Sequence, residues 1–137
     1  MDIHSMSDEQ FQKRLLNIFK KEALGHINAM FDGIIEIEQK GIDADHTNII
    51  DRLFRSAHSL KGSSRTVNIL SIEGICQEIE EIFHDIKKGK FIISERFLNT
   101  LNDAIKVIEM IVNNPTERVD YEDIVSRLKA IRQGGIQ

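Results

Sequence analysis

The chain contains few of the residues that build disulfide-stabilised or extended structures. Its 137 residues include one cysteine, one proline and no tryptophan. A single cysteine cannot form an internal disulfide, so the composition favours a reducing, cytoplasmic compartment. Proline interrupts helices, and its scarcity is typical of a mainly helical chain.

Several classes of function also lack their usual signals. No apolar run approaches the roughly 20 residues that span a bilayer, and the polar N-terminal segment does not resemble a signal peptide. The net charge of −4 gives no electrostatic basis for binding nucleic acid or an anionic membrane. A glycine-rich phosphate loop, CxxC, HExxH and a nucleophile elbow are all absent. We therefore expect no ATP site, no bound cofactor and no metal in this chain.

Four short breaks divide the chain into five segments whose apolar residues recur with helical periodicity. The breaks and capping residues predict five helices. The first runs from the capping box Ser7–Gln10 to about Gln39, the second over about 48–65, and the third from the turn at 66–68 to about Lys88. The fourth runs from Ser94 to Asn113-Asn114-Pro115, and a short fifth helix follows Asp120. Short connections make neighbouring helices antiparallel, so we predict an all-α, up-and-down bundle. We expect one domain over 8–132, an N-terminal tail over 1–7, and a flexible tail or linker over 133–137.

Each predicted helix has one apolar face. In the first helix the apolar stripe predicted to face the core includes Ile18, and in the third helix the stripe runs from Ile72 to Ile86. Gly25 and Gly33 each weaken the first helix by about 1 kcal/mol relative to alanine, which indicates a bend or a close contact.

The second helix contains an unusual polar face around one histidine. With Leu53 at zero and about 100° per residue, His58 lies near 140°, outside the buried stripe and close to Lys61, Gly62 and Arg65. Glycine four residues after His58 removes a side chain that would shield the imidazole. The ordinary alternative is a solvated surface histidine.

The third helix presents a second polar face, formed by Gln77, Glu80, Glu81 and His84. Helices two and three form a hairpin, so residues whose numbers add to roughly 138 lie at the same height. His58 and Glu80 satisfy this condition. A solvated face with ordinary charge pairs is the alternative.

A hydrogen bond between His58 and Glu80 would make the histidine a useful nucleophile. If Glu80 accepts from Nδ1–H, the tautomer is fixed and the Nε2 lone pair points outward. Lys61, one turn along, can offset the charge of a phosphoryl group. Such a site accepts and donates phosphoryl groups but depends on another domain for ATP.

The run Phe54-Arg-Ser-Ala-His58-Ser-Leu-Lys61-Gly62-Ser-Ser resembles the signature of histidine phosphotransfer (HPt) domains. It is most similar to the N-terminal phospho-acceptor domain of CheA-type chemotaxis histidine kinases, and the similarity covers about residues 8–132. The resemblance implies that His58 is phosphorylated at Nε2, with Glu80 bonding the imidazole and Lys61 and Gly62 in their family positions. Many chemotaxis kinases have a second histidine where this chain has Gln77, which cannot titrate near neutrality.

The resemblance also implies partners. A kinase catalytic domain would phosphorylate His58, and a response-regulator receiver domain would take the phosphoryl group onto an aspartate. We expect the receiver to dock over Phe54, predicted to be exposed, with Arg55, Gly62 and Arg65 around it. The isolated domain is expected to be a monomeric phosphocarrier, and the ending over 131–137 favours a fragment of a longer protein-histidine kinase.

Two other classes of function remain open. In the first alternative, the bundle is a non-catalytic docking module with an HPt-like fold. In the other it binds metal, since Glu81-x-x-His84 is half of a di-iron motif, although His26 and His46 lie in no matching motif. Cys76 flanks the apolar stripe of the third helix and is expected to pack in the core.

Overall fold

The structure is a computed structural model that describes residues 7–134. Within that range it is all-helical, as predicted. The five helices are α1 (Asp8–Lys40), α2 (Thr47–Thr66), α3 (Leu70–Lys87), α4 (Glu95–Asn113) and α5 (Glu122–Gly134). Each begins and ends within two residues of the predicted positions. No helix in the described part of the chain is long and apolar enough to cross a membrane.

The helix ends follow from the local sequence. Ser7 and Gln10 form the predicted capping box, with both side-chain-to-backbone distances at 3.2 Å. Ser94 caps α4 by accepting from the backbone N–H of Phe97 at 3.1 Å. Gly89 ends α3 with a φ of +73°, a left-handed conformation that glycine adopts without cost.

The helices form an up-and-down bundle around one apolar core. Helices α1 to α4 form the bundle, in which α1 packs on α2 and α4, and α3 packs on α2 and α4. Helix α5 lies against α3 and α4 and buries Ile124, Leu128 and Ile131 beneath it. The α2–α3 pair has the most extensive contact, and its exposed side displays the predicted chemistry.

One detail of the predicted core was wrong: Ile18 is 54% exposed, and the neighbouring Phe19 is buried in its place. Ile86 at the end of α3 is half-buried and packs against the core, as the predicted stripe requires. Gly33 lies in a close contact as predicted, because a Cβ there would come within 2.7 Å of Leu53 Cδ2.

Candidate functional site

The α2–α3 hairpin sets the register of the site. The turn passes through Asn68, whose φ of +62° is tolerated better by asparagine than by most residues. Several side-chain pairs cross between the two helices, and in four of them the residue numbers add to 138: His58–Glu80, Lys61–Gln77, Arg65–Glu73 and Asp51–Lys87. The predicted equal height of His58 and Glu80 is therefore confirmed.

His58 combines an exposed ring with a buried partner. Its side chain is 65% exposed, whereas that of Glu80 is 8% exposed, and Nδ1 lies 2.5 Å from Glu80 Oε1. A carboxylate only accepts hydrogen bonds, so Nδ1 holds the proton and donates it to Glu80. In the neutral imidazole the lone pair is then on Nε2. The burial of Glu80 also shows that the polar side of α3 is not simply a solvated face.

Lys61 is held beside the same carboxylate. Its ammonium forms an ion pair with Oε2 of Glu80 and donates to Oε1 of Gln77 at 3.1 Å. The Lys61 side chain is 16% exposed, so its charge is fixed near the imidazole rather than free in solvent. The buried negative charge of Glu80 is thereby shared between a hydrogen bond to His58 and an ion pair with Lys61.

Phe54 is partly buried against the core, so the prediction that it is exposed was wrong. Its ring lies parallel to the His58 ring, with centroids 6.2 Å apart and an angle of 5° between the planes. Lys87 places its Nζ 4.4 Å from the centroid of Phe54, and Asp51 pairs with that ammonium at 2.7 Å. The hydrogen bond from Lys87 lowers the pKa of Asp51. Sequence reasoning missed Lys87, although the hairpin register places it level with Asp51.

The remaining predicted contact residues lie on the same side of the hairpin. Arg55 and Gly62 are exposed, and a Cβ added at Gly62 would meet nothing within 4 Å. Arg65 is exposed but pairs with Glu73 of α3 at 2.8 Å, near the turn. The structure thus brings His58, Glu80 and Lys61 into contact and leaves the arginines at the periphery.

Two other reactive side chains have structural roles. Cys76 is fully buried, and burial first and the Glu80 charge second raise the pKa of its thiol, which opposes formation of a thiolate. The carboxylate of Glu81 is bound by Gln77 and by Arg132 of α5, so it is engaged by protein groups rather than available as half of a metal motif. Sequence reasoning also missed Arg132, because nothing in the local pattern shows where α5 docks.

Comparisons with known proteins show what the chain is similar to. Among curated proteins, the chain is 29% identical over 133 residues to the chemotaxis protein CheA of Borreliella burgdorferi, covering 94% of this chain and 15% of that protein. It is 26% identical over 122 residues to CheA of Treponema pallidum, covering 86% of this chain and 15% of that protein. The chain therefore spans less than one fifth of the length of these relatives.

A solved structure has the same fold. The phosphorylated P1 domain of CheA3 in complex with CheY6, from R. sphaeroides, superposes with a TM-score of 0.77 at 15% sequence identity. The match covers 88% of this chain and 97% of that domain. The family model described as "Hpt domain" matches residues 14–111, which make up most of the 137. The chain belongs to the Hpt domain family.

Proposed function

We propose that the chain is the phosphotransfer domain of a chemotaxis-type signalling system, with His58 as the phospho-acceptor. One observation carries this proposal: the exposed imidazole of His58 is bound through Nδ1 to the buried carboxylate of Glu80. This arrangement leaves Nε2 as the nucleophile and fixes the ring in one tautomer. Membership of the Hpt domain family and the similarity to CheA proteins support the same role.

In the first step, the Nε2 lone pair of His58 attacks the γ-phosphorus of ATP held by a separate kinase catalytic domain. An Nε2–P bond forms, the bond from phosphorus to the bridging oxygen breaks, and that oxygen leaves with ADP. The imidazole becomes more positive as the bond forms, and the Glu80 carboxylate at Nδ1–H stabilises that charge. Lys61 offsets the negative charge of the transferred phosphoryl oxygens.

In the second step, the phosphoryl group leaves for a response regulator. A carboxylate oxygen of a receiver aspartate attacks the phosphorus, the Nε2–P bond breaks, and its electron pair returns to the imidazole. The receiver contacts the exposed side of the α2–α3 hairpin, where Arg55 and Gly62 surround His58. The solved P1 domain of similar fold is in complex with CheY6, which supports a receiver as the partner.

The ATP site belongs to another part of the system. We propose that residues 8–132 act as the phosphotransfer unit of a longer CheA-type histidine kinase, because the matched segment makes up only 15% of each of these curated relatives. The chain itself contributes the nucleophile, the base that orients it and the cation. It is a phosphocarrier that works in the cytoplasm beside its kinase.

The proposal is tested by incubating the domain with ATP and a CheA-type catalytic core and measuring intact mass. We expect one acid-labile phosphate on the wild-type domain and none on His58→Gln, with phosphate leaving when a receiver domain is added. The matched control is His84→Gln, an exposed histidine on α3, which should label like the wild type. Because His58→Gln removes the imidazole hydrogen bond to the buried Glu80 carboxylate, it should lower the free energy of unfolding by up to about 1–3 kcal/mol but leave the domain folded. Absence of label with several cores and with phosphoramidate would favour the docking module.

A further inference from the structure

A chain of hydrogen bonds connects the candidate site to α5. Lys61 Nζ donates to Gln77 Oε1 at 3.1 Å, and Gln77 Nε2 donates to Glu81 Oε1 at 3.0 Å. The other oxygen of Glu81 accepts from Arg132 Nη1 at 2.5 Å. The path therefore runs from α2 through α3 to the last turn of α5.

The direction of the Gln77 amide is set by its two neighbours. The Lys61 ammonium can only donate and the Glu81 carboxylate can only accept, so just one orientation of the amide satisfies both. The reversed orientation would place the Gln77 NH₂ group against the Lys61 ammonium, with donor facing donor. Glu81 thus keeps the amide oxygen on Lys61.

Arg132 in turn holds Glu81 in place. The Glu81 side chain is 35% exposed and has no steric reason to point at Gln77 rather than solvent. The Arg132 guanidinium donates to Glu81 and, through Nε, to Asp85 at 2.8 Å, one turn further along α3. These two hydrogen bonds, to Glu81 and Asp85, fix the position of the guanidinium. The second bond costs little additional conformational entropy, because the donors of arginine lie in one rigid plane. The hydrogen bond also lowers the pKa of Asp85, so both partners are charged at neutral pH.

We propose that Glu81 and Arg132 are positioning residues for phosphoryl transfer, which hold Lys61 beside His58 through the Gln77 amide. This inference rests on the proposed function, and it assigns α5 a role in the reaction in addition to packing. Without Arg132, Glu81 turns to solvent and the Gln77 amide reorients. Lys61 is then held only by Glu80, and the cation that stabilises the phosphoryl group is less well placed.

The test compares two arginines of α5. Arg132→Ala should slow phosphorylation of His58 roughly threefold to tenfold, less than the 10–100-fold typical of a partner that bonds the reacting histidine directly. The matched control is Arg127→Ala, which removes an ion pair of similar length (2.8 Å) between α5 and Asp103 of α4. Arg127→Ala should leave the rate unchanged. Equal slowing in both variants would overturn the proposal, because it would reflect loosening of α5 in general.

A double-mutant cycle separates positioning from simple destabilisation. If Arg132 acts through the amide, Arg132→Ala should have no further effect on the rate in a Gln77→Ala background. A full additional loss in that background would overturn the proposal. All rates are measured where circular dichroism shows each variant fully folded.

A second readout does not depend on labelling. In ¹⁵N spectra the side-chain amide of Gln77 should give two well-dispersed proton signals in the wild type and in Arg127→Ala. In Arg132→Ala the two signals should move towards values of a solvated amide. An unchanged Gln77 amide would overturn the inference even if the domain labels normally. A different result would separate the two proposals. If the wild-type domain is not phosphorylated but the Gln77 signals behave as expected, the proposed function is overturned, whereas the hydrogen-bond chain from Lys61 to Arg132 is supported.

Discussion

His58 and Glu80 form one hydrogen bond across two different environments. The imidazole faces solvent, where partner proteins can reach it. The Glu80 carboxylate is buried beneath it, with Lys61 as its counter-ion. A buried carboxylate without partners would be expensive, and the pairs with His58 and Lys61 offset that cost. The same charge is then available to stabilise the imidazole as the Nε2–P bond forms.

We predict that Glu80→Gln slows phosphorylation of His58 roughly 10- to 100-fold, by analogy with carboxylates that orient a metal-binding histidine through its other ring nitrogen. The amide still accepts a hydrogen bond but provides no negative charge to the imidazole or to Lys61. The initial rate of phosphohistidine formation measures this effect. Glu109→Gln on α4 changes the net charge equally and should label normally. A wild-type rate in Glu80→Gln would contradict the role of Glu80.

At the scale of the helix, α1 packs closely on α2 at Gly33. We predict that Gly33→Ala destabilises the domain by about 1–3 kcal/mol, because the new Cβ would lie 2.7 Å from Leu53 Cδ2 and overpack the core. Gly25 is exposed on the same helix, and a Cβ there meets nothing within 4 Å. Gly25→Ala should therefore stabilise the domain by up to about 1 kcal/mol, through helix propensity alone. Urea unfolding of both variants tests the pair, and stabilisation by Gly33→Ala would contradict the packing described for α1 and α2.

Helix α5 is attached to α3 partly through Asp85 and Arg132. The hydrogen bond from Arg132 lowers the pKa of Asp85 below its ordinary value of 3.8. A lowered carboxyl pKa contributes stability that is present above the ordinary value and is lost as the pH falls through the folded value. We predict that amide hydrogen exchange in α5 accelerates relative to that in α1 as the pH falls below about 3.8. Asp85→Asn should remove this difference, and an α5 that opens no more readily in acid than α1 would contradict it.

The local sequence was sufficient to predict the helices and their register. Capping residues mark the ends of α1 and α4, and the short turn through Asn68 leaves only one way to align α2 with α3. The alignment of His58 with Glu80 could therefore be predicted without any long-range information. The resemblance of residues 54–64 to the HPt signature pointed to the same pair.

The errors arose where burial depends on distant parts of the fold. Ile18 and Phe19 point about 100° apart on the 33-residue α1, and which of them faces the core depends on how α1 packs on α2 and α4. Phe54 is partly buried because its ring packs against the core, and Lys87, at the end of α3, lies over the ring. Arg132 reaches Glu81 only because of how α5 docks, and no local pattern encodes that docking.

At the scale of the whole molecule, we propose that one side of the α2–α3 hairpin is the surface for partners. We predict that Arg55→Glu weakens binding of a receiver domain roughly fivefold at low salt, because the receiver brings an acidic site to His58 and exposed charges contribute modestly to affinity. The loss should shrink as salt is added. Lys106→Glu on α4 makes the same change in net charge away from this surface and should bind normally. Titration calorimetry measures the affinity of both variants for a receiver that accepts phosphate from the domain. Equal losses of affinity in Arg55→Glu and Lys106→Glu would indicate a net-charge effect instead of docking at the hairpin.

Glu80 accepts the hydrogen bond from Nδ1–H of His58, and we propose that Nε2 is therefore the nitrogen that is phosphorylated. The direct measurement is NMR of the ¹⁵N-histidine-labelled domain after phosphorylation, in which coupling to ³¹P identifies the bonded nitrogen. We expect phosphorus on Nε2 of His58, with Nδ1 still protonated and hydrogen bonded to Glu80. Phosphorus on Nδ1, or on any other histidine, would contradict it.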